Sequence, residues 1–160
     1  SMASRQPEET ADLVLRALAE TGQRAVMLSG WAGLRADRLP PSVIMVESVP
    51  HAWLFPRIAA VVHHGGAGTT AAGLRAGVPS IVIPFFGDQA FWAERVRALG
   101  VGPEPIPRQK LNAARLAEAI RQAVTDDALR RRAADLGATI RAEDGVGRAV
   151  ALFASLSQSV

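Results

Sequence analysis

The chain has 160 residues, 49% of them hydrophobic, and 18 basic against 15 acidic residues give a formal net charge of +3. This composition predicts one globular domain over residues 1–160, and the absence of cysteine excludes disulfides and thiolate metal sites. No apolar run approaches the ~20 residues that a membrane span needs, and no hydrophobic signal segment stands at the start, so we expect a cytoplasmic protein.

The positive charge does not indicate a nucleic-acid partner. The arginines are spread along predicted helices, and the one dense cluster, residues 130–132, has Asp126, Asp127 and Asp135 beside it. Such a run is typical of a solvated helix face. With five Phe, three Trp and no Tyr, the chain also lacks an evident stacking platform for single strands.

Helical segments and short apolar strands alternate along most of the chain. The strand candidates are apolar throughout, which is typical of strands buried on both faces of a parallel sheet. We therefore predict an α/β fold, a doubly wound parallel sheet flanked by helices, with a helical C-terminus. In chain order the predicted elements are a helix over 7–20, strands over 24–28 and 43–46, a short helical segment over 51–58, a strand over 60–62, a helix ending near 76, a strand over 80–83, a helix over 88–99, at most an edge strand near 105–106, and helices over 113–124, 127–141 and 146–156.

In a doubly wound sheet, ligands bind at the carboxyl ends of the parallel strands. Four predicted loops follow strands at that end of the sheet, so we expect them to line one crevice. They span residues 29–41, 47–51, 63–69 and 84–88.

The most informative stretch follows the predicted strand over 60–62 and reads His63-His64-Gly65-Gly66-Ala67-Gly68-Thr69-Thr70. Glycine has no Cβ and tolerates positive φ, so the backbone can approach a ligand closely. The start of the next helix offers unpaired N–H groups and a positive dipole end, which favour an anion such as phosphate. The alternative is a tight strand-to-helix turn without a ligand, and the three glycines and two hydroxyls favour binding.

The two histidines of this stretch have different expected roles. His64 is either a packed side chain bonded to backbone or a donor to a phosphate or leaving group. His63 lies on the other side of the strand and is expected to be structural. A metal site is not expected, because the sequence places no third ligand near the pair.

Asp88 and Gln89 begin the predicted helix after the fourth loop. Asp88 could serve only as the helix N-cap. The pair also suits a sugar, because a carboxylate and an amide can each bridge adjacent hydroxyls. The spacing alone leaves both alternatives open.

A nicotinamide- or flavin-binding domain is a rival interpretation. Gly66 and Gly68 follow a strand, and Asp88 stands 20 residues beyond Gly68, the spacing of a ribose-binding acid. Against it, Thr70 and Ala71 occupy the usual place of the third glycine, and the motif follows two earlier strands instead of opening the fold.

Four motifs stand at fixed spacings in this sequence: residues 61–70, Ala76-Gly77-Val78-Pro79, Pro84-Phe85-Phe86-Gly87-Asp88-Gln89 and Trp92-Ala93. Together they resemble the C-terminal donor domain of nucleotide-sugar glycosyltransferases with the two-domain GT-B fold. The resemblance covers almost the whole chain and is greatest to bacterial enzymes similar to sterol 3-β-glucosyltransferases and to enzymes that glycosylate macrolides and other natural products. It implies a Rossmann-like C-terminal half of a GT-B fold.

The resemblance implies a UDP-sugar donor, with UDP-glucose expected, and neither a cofactor nor a metal. It also implies roles for matching positions: the turn would hold the diphosphate, the start of the following helix the hexose hydroxyls, and the loop after residue 47 the uracil and ribose. Trp31 is the aromatic candidate for the uracil, whereas Trp53 is expected to pack in the core. The implied diphosphate residues are His64, Gly66, Ala67, Gly68, Thr69 and Thr70, the sugar residues Asp88 and Gln89, and the uracil residues Ser48, Val49, His51 and Trp31.

Two parts of the family pattern are expected to be missing from this sequence. The family's catalytic base is a histidine of an amino-terminal domain that also supplies most of the acceptor pocket, so no catalytic residue is expected here. The family's donor domain also begins with a strand ending in Phe-Gly-Ser, and Ser1-Met2 is either a remnant of that turn or an expression scar. Without this central strand the chain would swap or dimerise around the gap.

We therefore predict the donor-binding half of an inverting glycosyltransferase that moves a hexose from a UDP-sugar to a hydroxyl of a lipophilic acceptor such as a sterol. The isolated chain is expected to be inactive in transfer. The alternatives are a non-catalytic nucleotide-binding module and a dinucleotide-binding oxidoreductase domain.

Overall fold

A computed structural model describes residues 6–28 and 39–157 of the chain. Residues 29–38 of the predicted first crevice loop, including Trp31, lie outside the described residues. Two 3-10 turns, Phe55–Arg57 and Arg108–Lys110, accompany the regular elements. The helices are α1 Gln6–Thr21, α2 His51–Leu54, α3 Ala67–Ala76, α4 Gln89–Ala98, α5 Ala113–Thr125, α6 Asp127–Ala142 and α7 Gly145–Ser157, and the strands are β1 Ala25–Leu28, β2 Val43–Val46, β3 Val61–His63 and β4 Ser80–Val82.

The predicted starts of the helices at residues 113 and 127 are confirmed, and a side chain caps each of them. Asn112 Oδ1 accepts a hydrogen bond from the Arg115 N–H at 2.9 Å at the start of α5. Asp126 Oδ1 accepts one from the Leu129 N–H, also at 2.9 Å, at the start of α6. Each bond satisfies one of the backbone donors that a helix leaves unpaired in its first turn.

The strands pair in parallel, which confirms the predicted α/β class, but the described strands form two separate sheets. In one sheet β1 pairs with β2, with Ala25 opposite Val43. In the other β3 pairs with β4, with Val61 opposite Ser80. Within residues 6–28 and 39–157, β1 and β3 do not pair with each other. The expected absence of the first strand of the family pattern stays a prediction.

The segment after residue 100 runs beside β4 without forming a strand. The Ile106 N–H donates to the Val82 carbonyl at 3.0 Å, as in a ladder. Prolines lack the N–H that a continued ladder needs, and they occupy positions 103, 105 and 107. An edge strand near 105–106 is therefore not formed.

The core has its centre at β4, the only described strand that is buried along its whole length. Ile81 and Ile83 face the main cluster, formed with α1 and α5, whereas Val82 faces a second cluster under α4 and α6. The prediction of burial on both faces is confirmed for β4. It is wrong for β1, β2 and β3, because no described element covers one face of them. The side chains left exposed there are Val26, Leu28, Ile44 and Val62.

Two connections place the candidate site. The glycine turn joins β3 to α3, and the loop over 84–88 joins β4 to α4. Because β3 and β4 are parallel neighbours, both connections leave the sheet at the carboxyl ends of the strands.

Candidate functional site

The glycine turn ends in a helix whose first backbone donors no described side chain caps. Gly66 is the N-cap residue of α3, with φ −61°, and no side chain caps the helix. The first helical bond runs from the Thr70 N–H to the Gly66 carbonyl at 2.9 Å. The N–H groups of Ala67, Gly68 and Thr69 therefore face away from the helix ladder, with the positive end of the helix dipole behind them.

Gly65 packs the turn directly against the start of α4. Its φ is +92°, a conformation that favours glycine. A Cβ atom there would lie 2.8 Å from Val82 Cγ1 and 3.0 Å from the Gln89 carbonyl oxygen. The structure thus brings the turn against Gln89 at the start of α4, as the strand-end argument predicted.

Two other glycines of the turn have different surroundings. A Cβ atom on Gly66 would lie 2.6 Å from His64 Nε2, so the exposed His64 ring lies beside the N-terminus of α3. A Cβ atom on Gly68 would meet no atom within 4 Å. The described fold therefore requires glycine at Gly65 and has no steric need of it at Gly68.

The two threonines of the turn differ in burial. Thr70 is fully buried, and its hydroxyl donates to the Gly66 carbonyl at 3.0 Å. That bond supports the turn, so the predicted contact between Thr70 and a diphosphate stays a prediction. Thr69 is half-buried, and its hydroxyl makes no hydrogen bond to any described residue.

The His63 side chain is hydrogen-bonded to the backbone of the glycine turn. Its Nδ1 accepts a hydrogen bond from the Gly65 N–H at 3.1 Å, so the neutral ring carries its proton on Nε2. Nε2 is buried and has no partner among the described residues. Burial, followed by the charges of His64 and His51, lowers the pKa of His63 to about 4. His63 is therefore a neutral structural group, as expected from the sequence.

The Asp88 carboxylate does not cap α4, although Asp88 is the N-cap residue. It lies exposed at the surface, and its Oδ2 accepts a hydrogen bond from the Trp92 indole N–H at 3.0 Å. Helix capping therefore does not account for the presence of a carboxylate at position 88. Sequence reasoning missed the Trp92 contact, which the i, i+4 spacing on a helix could have indicated.

Gln89 is 6% exposed, and backbone groups hold its side-chain carbonyl. Oε1 accepts hydrogen bonds from the Phe85 N–H at 2.7 Å and the Phe86 N–H at 3.2 Å. The amide NH2 is the part of Gln89 that stays available as a donor. The contact of Gln89 with a sugar stays a prediction.

The predicted uracil loop reaches the turn from the side of α2. Ser48 is exposed, and Val49 packs on the apolar cluster around Phe55. His51 stacks on Phe55 with ring centroids 4.5 Å apart, and its charge acts on His63. This loop is therefore brought to the turn, whereas Trp31 lies outside the described residues. The role of these residues toward a base stays a prediction.

The expectation that Trp53 packs in the core is wrong. It is 55% exposed, and the Arg57 guanidinium lies 4.7 Å from its ring centroid. A four-residue helix at the surface presents Trp53 outward, while Leu54 and Phe55 take the buried positions.

Within residues 6–28 and 39–157, no three histidine or acidic side chains lie close enough to hold a metal ion. No helix in the described part of the chain has the length and apolar character that crossing a bilayer requires.

Solved glycosyltransferases share this fold. The glycotransferase of kitacinnamycin is similar with a TM-score of 0.81 at 29% identity, over 91% of this chain and 38% of that one. The glycosyltransferase VinC in complex with dTDP is similar with a TM-score of 0.79 at 26% identity, over 94% and 38% of the two chains. The fold and the glycine turn therefore define a glycosyltransferase domain of the GT-B class.

The chain belongs to the family of C-terminal domains of erythromycin biosynthesis protein CIII-like proteins, whose model matches residues 12–147. Sterol 3-beta-glucosyltransferase UGT80A2 of Arabidopsis thaliana is 47% identical over 154 residues, which are 96% of this chain and 24% of that protein. The chain spans about a quarter or less of the length of the first curated relatives that it matches. These matches do not favour a dinucleotide-binding oxidoreductase.

Proposed function

We propose that the chain is the donor-binding domain of an inverting glycosyltransferase that moves a hexose to a hydroxyl of a lipophilic acceptor. UDP-glucose is the first candidate for the donor. The observation that carries this proposal is the contact between the glycine turn and the start of α4. This contact supports the proposal because the turn leads into the uncapped start of α3 and meets Gln89, the residue that follows the exposed Asp88. The relatives named as sterol 3-beta-glucosyltransferases support the choice of sugar and acceptor class.

The site suits the departure of a nucleoside diphosphate. When an acceptor hydroxyl attacks the anomeric carbon, the bond from that carbon to the diphosphate oxygen breaks, and its electron pair leaves with UDP. The N–H groups of α3, the helix dipole and the His64 ring would stabilise the charge that develops. The hydroxyl proton goes to a base that the resemblance places in an amino-terminal domain. We accordingly expect no transfer by the 160-residue chain alone and no metal requirement.

We also propose that the unpaired edges of β1 and β3 receive an extended segment of the longer protein. The separation of the two sheets supports this proposal. In the isolated chain a second copy would cover these edges, so we expect a dimer in sedimentation equilibrium. A monomer at high concentration would contradict this expectation.

Substitution of Thr69 and Asp88 should separate the two halves of donor recognition. Thr69→Ala removes a hydroxyl that no described residue binds, and we expect about 5- to 10-fold weaker binding of both UDP and UDP-glucose. Asp88→Ala should leave UDP binding unchanged and weaken UDP-glucose binding by about 10-fold or more, because bonds to a charged acceptor are the stronger ones.

Isothermal titration calorimetry of the 160-residue chain measures both effects. Matched controls are Thr125→Ala and Asp127→Ala, which change exposed residues at the junction of α5 and α6, outside the predicted site. Both controls should bind UDP and UDP-glucose as the unchanged chain does. Tighter binding of NAD(H) than of UDP would reject the proposed function, and so would absence of UDP binding by a folded chain.

A further inference from the structure

We propose that Trp92 is a positioning residue for sugar recognition: its indole N–H fixes the Asp88 carboxylate in the orientation that receives the sugar hydroxyls. This inference rests on the proposed function and goes beyond it, because Trp92 itself need not touch the sugar. It assigns the selectivity between a bare nucleotide and a nucleotide sugar to a pair of side chains on one helix turn.

The geometry that carries this inference lies at the start of α4. Asp88 and Trp92 stand four residues apart. The backbone N–H of Trp92 donates to the backbone carbonyl of Asp88 at 3.2 Å, so both side chains lie on one face of the helix. The indole Nε1 then donates to Asp88 Oδ2 at 3.0 Å. The Asp88 side chain has no capping bond that would otherwise orient it.

The Trp92 ring is itself held in place. It is half-buried, and its plane meets the Phe91 ring edge-on at 78°, with centroids 5.2 Å apart. A ring fixed in this way is a rigid donor, whereas a flexible side chain would lose more conformational freedom on forming the same bond.

An indole N–H is suited to this task for a chemical reason. It is a donor only, and it carries no charge that would neutralise the carboxylate or compete as an ion pair. It occupies Oδ2 and leaves Oδ1 to accept from a hydroxyl. An exposed aspartate without such a partner would have to be ordered when the sugar binds, and that cost would weaken the complex.

Gln89 follows the same principle with different groups. The Phe85 and Phe86 N–H groups fix its Oε1, so its NH2 is the half that can bind a ligand. The two residues predicted to bind the hexose are therefore both oriented before the sugar arrives. Gln89 is held by backbone, so Trp92 is the part of this arrangement that a single side-chain substitution can remove.

Calorimetry with UDP and UDP-glucose tests this inference on the 160-residue chain. Trp92→Phe keeps an aromatic ring and removes the N–H. We expect UDP to bind within about twofold of the unchanged chain and UDP-glucose to bind about 3- to 10-fold more weakly. Trp92→Gln restores a donor at the same spacing and should recover part of the loss. Phe91→Leu changes the ring contact and keeps the indole N–H, so it should weaken UDP-glucose binding less than Trp92→Phe does.

A double substitution separates positioning from a general structural role. Once Asp88→Ala has removed the carboxylate, Trp92→Phe should have no further effect on UDP-glucose binding, because the two residues act as one unit. Additive losses, or equal losses of UDP and UDP-glucose binding in Trp92→Phe, would overturn the inference. Unchanged UDP-glucose binding in that variant would overturn it as well, while leaving the proposed function intact. A folded, unchanged chain that binds no UDP would overturn both.

Discussion

Acidification from pH 7 to pH 4 is expected to lower the free energy of unfolding by about 3 kcal/mol through His63 alone. Burial, then the neighbouring charges of His64 and His51, holds the pKa of His63 at about 4 in the folded chain, against 6.5 for an unperturbed histidine. That difference corresponds to about 3 kcal/mol. It is a large share of the roughly 5–15 kcal/mol that stabilises a typical domain.

The direction of this effect follows from which state binds the proton. Between pH 6.5 and about 4 the unfolded chain takes up a proton on His63 and the folded chain does not. His63 therefore makes its full contribution to the free energy of unfolding above pH 6.5. This contribution falls as the pH drops through the window and changes no further below about pH 4. In the folded state Nδ1 of His63 accepts the hydrogen bond from the Gly65 N–H. A proton on Nδ1 would break that bond, which also disfavours protonation of the buried ring.

Urea unfolding at a series of pH values measures the expected loss. His63→Asn removes the titrating ring and offers an amide oxygen to the Gly65 N–H, and it leaves His51 and His64 in place. The variant should lose about 3 kcal/mol less than the unchanged chain between pH 7 and pH 4. Parallel losses in the two proteins would mean that His63 titrates normally in the folded chain.

The sequence was sufficient for features that local chemistry determines. Gly65 at positive φ, the caps Asn112 and Asp126, and the parallel pairing of β3 with β4 all follow from residue type and spacing. The meeting of the turn with the start of α4 at Gln89 follows as well, because the carboxyl ends of parallel neighbouring strands lie side by side.

The remaining features depend on contacts that the sequence pattern does not contain. Thr69 and Thr70 look equivalent in the sequence, yet the helix rotates one hydroxyl toward the Gly66 carbonyl and buries it. An apolar strand reads the same whether one or both faces are covered, so the open faces of β1, β2 and β3 were not predictable. The contact between Trp92 and Asp88 depends on a rotamer, which periodicity does not determine.

The glycines of the turn should separate folding from binding. Gly65→Ala would force a Cβ against Val82 and the Gln89 carbonyl at φ +92°, and we expect it to cost about 2–4 kcal/mol of stability. Gly68→Ala meets open space inside the first turn of α3, so stability should stay the same or rise by up to about 1 kcal/mol. Under the proposed function it should nevertheless weaken UDP binding by about 10-fold or more, because the new methyl group stands where a diphosphate must approach the N–H groups.

Unfolding and calorimetry on the same variants measure the two effects separately. Gly145→Ala is the matched control for Gly68→Ala, since Gly145 also lies in the first turn of a helix and a Cβ there also meets nothing within 4 Å. The control should reproduce any gain in stability and leave UDP binding unchanged. A Gly68→Ala chain that folds and binds UDP as tightly as the unchanged chain would remove the turn from the donor site. If Gly68→Ala is at least as stable as the unchanged chain and yet binds UDP more weakly, the added methyl group must occupy space that UDP needs. The described fold itself leaves room for a Cβ at position 68.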